Sequence, residues 1–190
     1  ASAPSQMTVL SLALEKKRQG DKATGRKLLE DWVARQPGDT AVRMALADVY
    51  AANQLVDSAI EQYRIVLEKD ARNAVALNKL AWHLRKSDPK QALVYAQSAA
   101  EITPESADVM DTLALAHLEN KDFDEAQSSI EKALKLKGDN PAIRYHAALI
   151  RSARGDKGGA ILILKPLVSG ANDFPEKQEA TQLLTSLEKK

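Results

Sequence analysis

The chain has 190 residues, and 27 Lys and Arg against 26 Asp and Glu leave a formal net charge of +1. Hydrophobic residues make up 44% and charged residues 28%, a balance that supports a sizeable core and excludes wholesale disorder. There is no cysteine, which excludes disulfides, zinc–thiolate sites, iron–sulfur clusters and thiol nucleophiles.

In chain order, apolar residues recur at i, i+3, i+4 and i+7, the period of half-buried helices. The pattern predicts helices near residues 5–18, 21–35, 39–52, 55–69, 73–86, 88–101, 106–119, 122–136, 140–153, 156–169 and 175–188. Short turns join the helices of each pair: Gly20-Asp21, Ala52-Asn53-Gln54, Ser87-Asp88-Pro89, Asn120-Lys121-Asp122 and Gly155-Asp156. Pairs are separated by Gln36-Pro37-Gly38-Asp39, Lys69-Asp70-Ala71-Arg72-Asn73, Thr103-Pro104-Glu105-Ser106 and Gly138-Asp139-Asn140-Pro141. Proline there cannot continue the preceding helix, and Asp, Asn or Ser can cap the next. No run alternates apolar and polar residues between hairpin turns, so the expected class is all-α.

One ladder of anchors runs through these pairs. Leu12, Leu46, Leu80, Leu113 and Ala147 are separated by 34, 34, 33 and 34 residues, and alanine follows each, at Ala13, Ala47, Ala81, Ala114 and Ala148. A second small residue, Gly25, Ala59, Ala126 or Ala160, comes twelve positions after that alanine; in the third unit Ala92 comes after eleven, which accounts for the single 33. Small residues in phase on paired helices let the backbones cross closely. Five such units predict a stack in which each repeat touches mainly its neighbours.

These residues resemble the tetratricopeptide (TPR) family over nearly the whole chain. Leu46, Ala47, Tyr50, Ala59 and Tyr63 carry its pattern in the second unit, and Leu113, Ala114, Phe123, Ala126 and Ala133 in the fourth. Pro37 and Pro104 fill the closing position, while Ala71, Gly138 and Asn172 replace it elsewhere, and His117 and Arg151 stand where an aromatic is usual. The resemblance implies a right-handed superhelical solenoid forming a single array over 1–190, with repeats 6–39, 40–73, 74–106, 107–140 and 141–174. Residues 175–190, with Ala180, Leu183, Leu184 and Leu187 on one side, resemble the helix that caps such arrays. Leu77-Asn78-Lys79-Leu80-Ala81-Trp82, Asp111-Thr112-Leu113, Asn140-Pro141-Ala142-Ile143-Arg144-Tyr145-His146 and Phe174-Pro175-Glu176-Lys177 also resemble the C-terminal modules of bacterial PEP-CTERM (exosortase-associated) TPR lipoproteins. That implies an envelope location and an assembly role beside exopolysaccharide and protein-sorting systems. The lipidated Cys of those proteins is absent, so a membrane link is expected only through an anchor outside this chain.

Catalytic chemistry has little support. His83, His117 and His146 form no His-Glu-x-x-His pair, so no metal is expected. The carboxylates of Asp122-Phe123-Asp124-Glu125 are accounted for by a helix start, where they oppose the macrodipole and cap the first turn. Gly155-Asp156-Lys157-Gly158-Gly159 lacks P-loop spacing, and no Gly-x-Ser-x-Gly elbow exists. No cofactor is expected. Near-neutral charge and 4% aromatics argue against nucleic acid. The longest apolar run, Ala160-Ile161-Leu162-Ile163-Leu164, is too short to span a bilayer, and Lys16-Lys17-Arg18 follows the first apolar segment, unlike a signal peptide. The chain begins at Ala1 without Met and reads as a processed form or a fragment.

The resemblance implies a concave surface lined by first helices, with Leu10, Leu14 and Lys17, then Met44 and Asp48, then Asn78, Trp82 and Arg85, then Asp111, Leu115 and Glu119, then Tyr145 and Leu149 facing inward. The carboxylate clamp of chaperone-binding TPR domains is missing, because Leu10, Leu14, Ala45, Val75 and Lys79 occupy its positions. The expected partner-binding residues are Leu14, Asp48, Asn78, Trp82, Arg85, Asp111, Leu115 and Tyr145. The expected function is a non-enzymatic scaffold for a protein or peptide in the periplasm or cell envelope. Alternatives are a cytoplasmic peptide adaptor, or a polysaccharide-contacting module in which Trp82 and Tyr145 stack on sugar rings; their structural alternative is groove wall.

Overall fold

A computed structural model describes residues 5–170 and 173–189. Among them, eleven α-helices supply all the regular structure. They are α1 (Gln6–Arg18), α2 (Lys22–Arg35), α3 (Thr40–Ala52), α4 (Val56–Lys69), α5 (Ala74–Leu84), α6 (Pro89–Ile102), α7 (Ala107–Glu119), α8 (Phe123–Leu136), α9 (Pro141–Ala153), α10 (Lys157–Ser169) and α11 (Lys177–Glu188). Every helix end lies within two residues of its expected place. Asn172, the fifth closing position, and Lys190, at the end of the cap, lie outside the described residues.

The chain forms two compact units, Ala1–His83 and Leu84–Lys190. In the first, α1 packs on α2, α2 on α3 and α3 on α4; in the second, each helix from α6 to α11 packs on the next. First helices of successive repeats also meet, α1 with α3 and α7 with α9.

The helix starts follow from local chemistry. Ser5, Asp21, Asp39, Asn73, Asp88, Ser106, Asn140 and Asp156 each accept a hydrogen bond from a backbone N–H in the first turn that follows. Asp122 departs from expectation: it makes no side-chain cap, and its Oδ2 lies 3.4 Å from His117 Nδ1. The turns within repeats end in a left-handed residue at Gly20, Gln54, Lys121 and Gly155. There the following N–H reaches back to the carbonyl of Lys16, Tyr50, His117 or Arg151, closing a Schellman turn. The third repeat lacks this residue; Asp88 N–H bonds Leu84 O instead, and Pro89 starts the next helix at once. The one-residue deletion in the sequence is therefore a change of turn type.

The small-residue ladder marks the helix crossings. Ala47, Ala81, Ala114 and Ala148 are fully buried, as are Ala59, Ala92, Ala126 and Ala160. At Gly25 a Cβ would lie 3.0 Å from the Ala13 carbonyl oxygen, so α1 and α2 cross too closely for alanine to fit without a shift. Leu12 departs from the anchor series by being exposed, whereas Leu46 and Leu80 are buried. Among the described residues no earlier helix covers the outer side of α1. At the other end Ala180, Leu183, Leu184 and Leu187 pack with Tyr145, Leu164 and Phe174, so α11 seals the second unit's core as expected of a cap.

Asp39 ties three elements together. Its carboxylate accepts from Val42 N–H at 3.1 Å, Trp32 Nε1 at 2.8 Å and Gln6 Nε2 at 2.7 Å. Burial alone would raise its pKa, but these donors outweigh burial and hold it below the ordinary value. A lowered carboxylate pKa stabilises the fold above the unfolded-state value, and that stability is lost as pH falls through the folded value. Asp39→Ala should cost about 1 kcal/mol at neutral pH. The gap between wild type and variant should close in melts taken at progressively lower pH; a gap that persists at pH 2 would contradict the assignment.

Candidate partner-binding groove

In the first unit a pocket of about 300 Å³ opens between α1, α2 and α3. Leu10, Leu14 and Lys17 stand at i, i+4 and i+7 on α1 and so share one face. Together with Val49 from α3 they give the pocket an apolar wall with a cation at its edge. Lys22 and Arg26 enter from α2, and Asp48 from α3. Leu14 keeps 57% of its surface exposed. That is an unusual exposure for a leucine beside a concave pocket, and it leaves area for a partner to bury.

The charges here do not cancel. Asp48 Oδ1 accepts from the Tyr63 hydroxyl at 2.6 Å and pairs with Lys79 Nζ at 3.1 Å. Tyr63 is fully buried, and its ring stacks on His83 with centroids 6.0 Å apart. Burial and the adjacent Asp48 push the Tyr63 hydroxyl far above its ordinary pKa, so it remains a donor. Asp48 is thereby engaged from two sides. Arg26 Nε lies 3.3 Å from Glu30 Oε1. Lys17 and Lys22 make no ion pair among the described residues, and the pocket keeps a positive excess.

The other expected residues of the first unit are on α5. Asn78 is half-buried, and its Oδ1 is buried without a hydrogen-bond donor among the described residues. Such an oxygen costs about 1–3 kcal/mol until a donor meets it. Trp82, one turn further, is half-buried.

The second unit holds Arg85, Asp111, Leu115 and Tyr145. Burial draws the Arg85 guanidinium below its ordinary pKa, while the carboxylates of Glu119, Glu176 and Asp111 oppose that shift. Leu115 and Tyr145 keep only 5% and 7% of their surface exposed, and Asp111 8%. Both Asp111 oxygens lie 2.9 Å from His146 Nδ1. A carboxylate only accepts, so the imidazole proton sits on Nδ1 and donates to Asp111. Burial, then Glu179 and Glu176, raise the Tyr145 hydroxyl above its ordinary pKa.

Two features escaped the sequence reading. Lys22 belongs to a second helix, whereas only first helices were mapped inward. His146 follows Asp111 by 35 residues, one more than a repeat, a spacing that places the two side by side on successive first helices. Among the described residues no cluster of His, Asp and Glu could hold a metal ion, and no helix is long and apolar enough to cross a membrane.

The repeat geometry has matches among known proteins. The model of the tetratricopeptide repeat family matches residues 10–74 and 112–170. The chain belongs to the tetratricopeptide repeat family. Cellulose synthase operon protein C of Xanthomonas axonopodis pv. citri is 30% identical over 175 residues, covering 87% of this TPR chain and 12% of that protein. The type IV pilus assembly protein PilF of Pseudomonas aeruginosa is 28% identical over 143 residues, covering 73% of this chain and 56% of that protein. The chain thus spans an eighth of one relative and just over half of the other. Among solved structures, PilW, a widely conserved type IV pilus biogenesis factor, superposes with a TM-score of 0.79 at 18% identity, covering 98% of this chain and 92% of that one. At that identity the likeness concerns the fold.

Proposed function

We propose that this TPR chain is a non-enzymatic interaction scaffold of a bacterial envelope assembly system, and that its first unit holds an extended partner segment carrying leucine-like and acidic residues. The observation that carries this reading is the pocket of the first unit, where exposed Leu14 adjoins Lys17 and Lys22 while Asp48 is engaged by Tyr63 and Lys79. Apolar side chains would bury Leu10 and Leu14, and carboxylates would meet the lysines.

The named relatives support the setting. One is a pilus assembly protein and the other belongs to a cellulose synthase operon. The second favours a polysaccharide-linked role, in line with the PEP-CTERM-like residues around Trp82 and Tyr145. A periplasmic location follows from this reading and is tested by fractionating cells that express the full-length protein.

A fluorescein-labelled peptide of alternating leucine and glutamate tests the chemistry. It should bind the wild type, and Lys17→Glu/Lys22→Glu should weaken it about tenfold, since two rim charges each contribute up to about 1 kcal/mol. Equal affinity for a leucine–lysine peptide would overturn the acidic-partner reading.

A further inference from the structure

A second groove lies within the second unit, where α7 forms the floor between α6 and α8. Its volume is about 840 Å³. Glu101 near the end of α6 and Glu105 in the following turn make one wall acidic. Lys132 and Lys135 make the α8 wall basic. Lys132, Lys135 and Leu136 stand at i, i+3 and i+4, so they share one face of α8. Leu113 is half-buried in the floor, and Leu136 is 38% exposed at the end of α8. Lys137, the residue after Leu136, pairs with Asp108 at 3.2 Å. Among the described residues the four wall charges make no ion pair with one another.

We propose that this trough docks an amphipathic helix of a partner protein. Its apolar stripe would cover Leu113 and Leu136, a basic flank would face Glu101 and Glu105, and an acidic flank would face Lys132 and Lys135. A helix is about 10–12 Å across with its side chains and fills such a trough with one face. Turning the helix end for end exchanges its flanks, so the two charged walls fix the direction in which it lies. This surface belongs to the second unit and does not depend on the first unit's pocket.

Three synthetic fourteen-residue helices with the same leucine stripe test the proposal by fluorescence anisotropy. One carries lysine on one flank and glutamate on the other, one carries lysine on both, and one glutamate on both. The mixed helix should bind the wild type about fivefold to tenfold more tightly than either uniform helix. Lys132→Glu/Lys135→Glu makes both walls acidic, and the all-lysine helix should then bind most tightly. Leu136→Asp should weaken all three helices, with circular dichroism confirming that each variant is folded. Equal affinities, or a ranking unmoved by charge reversal, would overturn the proposal. So would a dimer in sedimentation that Leu136→Asp dissolves, since a second copy of this chain would then be the occupant.

Discussion

Replacing His146 with leucine should cost about 3–5 kcal/mol of stability, the loss expected when one partner of a buried pair is removed. The two side chains are 5% and 11% exposed, and His146 Nδ1 lies 2.9 Å from Asp111. Without the imidazole, the Asp111 carboxylate stays buried without its main donor. Arg85 lies among the charges near Asp111 and should hold the loss toward the lower end of that range. The double variant Asp111→Leu/His146→Leu removes the stranded charge along with its donor and should recover part of the loss, a coupling that a double-mutant cycle in urea measures. A single variant as stable as wild type would show that the pair carries no structural role.

Replacing Ala114 with leucine should cost about 1–3 kcal/mol by overpacking. Ala114 and Ala126 are both fully buried on α7 and α8, which pack directly together. Three added carbons at this fully buried position press on a close-packed crossing, so α7 and α8 must separate or leucine must leave its rotamer. Leu162 on α10, 76% exposed, is the control site, where a change to methionine should leave the melt unmoved. An unchanged midpoint for Ala114→Leu would place this alanine away from the crossing.

The fold was legible because the helix crossings restrict side-chain size. Ala47, Ala81, Ala114 and Ala148 recur because nothing larger fits, and a steric limit repeated in phase leaves a mark in the sequence. Leu12 kept the anchor spacing without being buried, since spacing records register while burial needs a neighbouring helix. Asp122 kept the position of a cap, but its carboxylate faces His117.

The site was less legible. Leu14 and Asp48, placed by the mapping on the inward face of first helices, both line the pocket. That mapping records which face a residue occupies, not whether its charge is already engaged. Asp48 is held by Tyr63 and Lys79, and Asp111 by His146; each contact joins residues at least fifteen positions apart. Lys22 was missed because it enters from α2, beside Gly25, where the close crossing brings the second helix up to the pocket.

The most direct measurement places a benzophenone photo-crosslinker at position 14 of the full-length protein in its native cells, with position 162 as control. A discrete adduct at position 14 is expected, absent at 162 and strongly reduced when Lys17 and Lys22 are changed to glutamate. An adduct at 162 with none at 14, or one at 14 indifferent to those two lysines, would contradict the assignment of the first unit's groove as the binding site for an acidic partner segment.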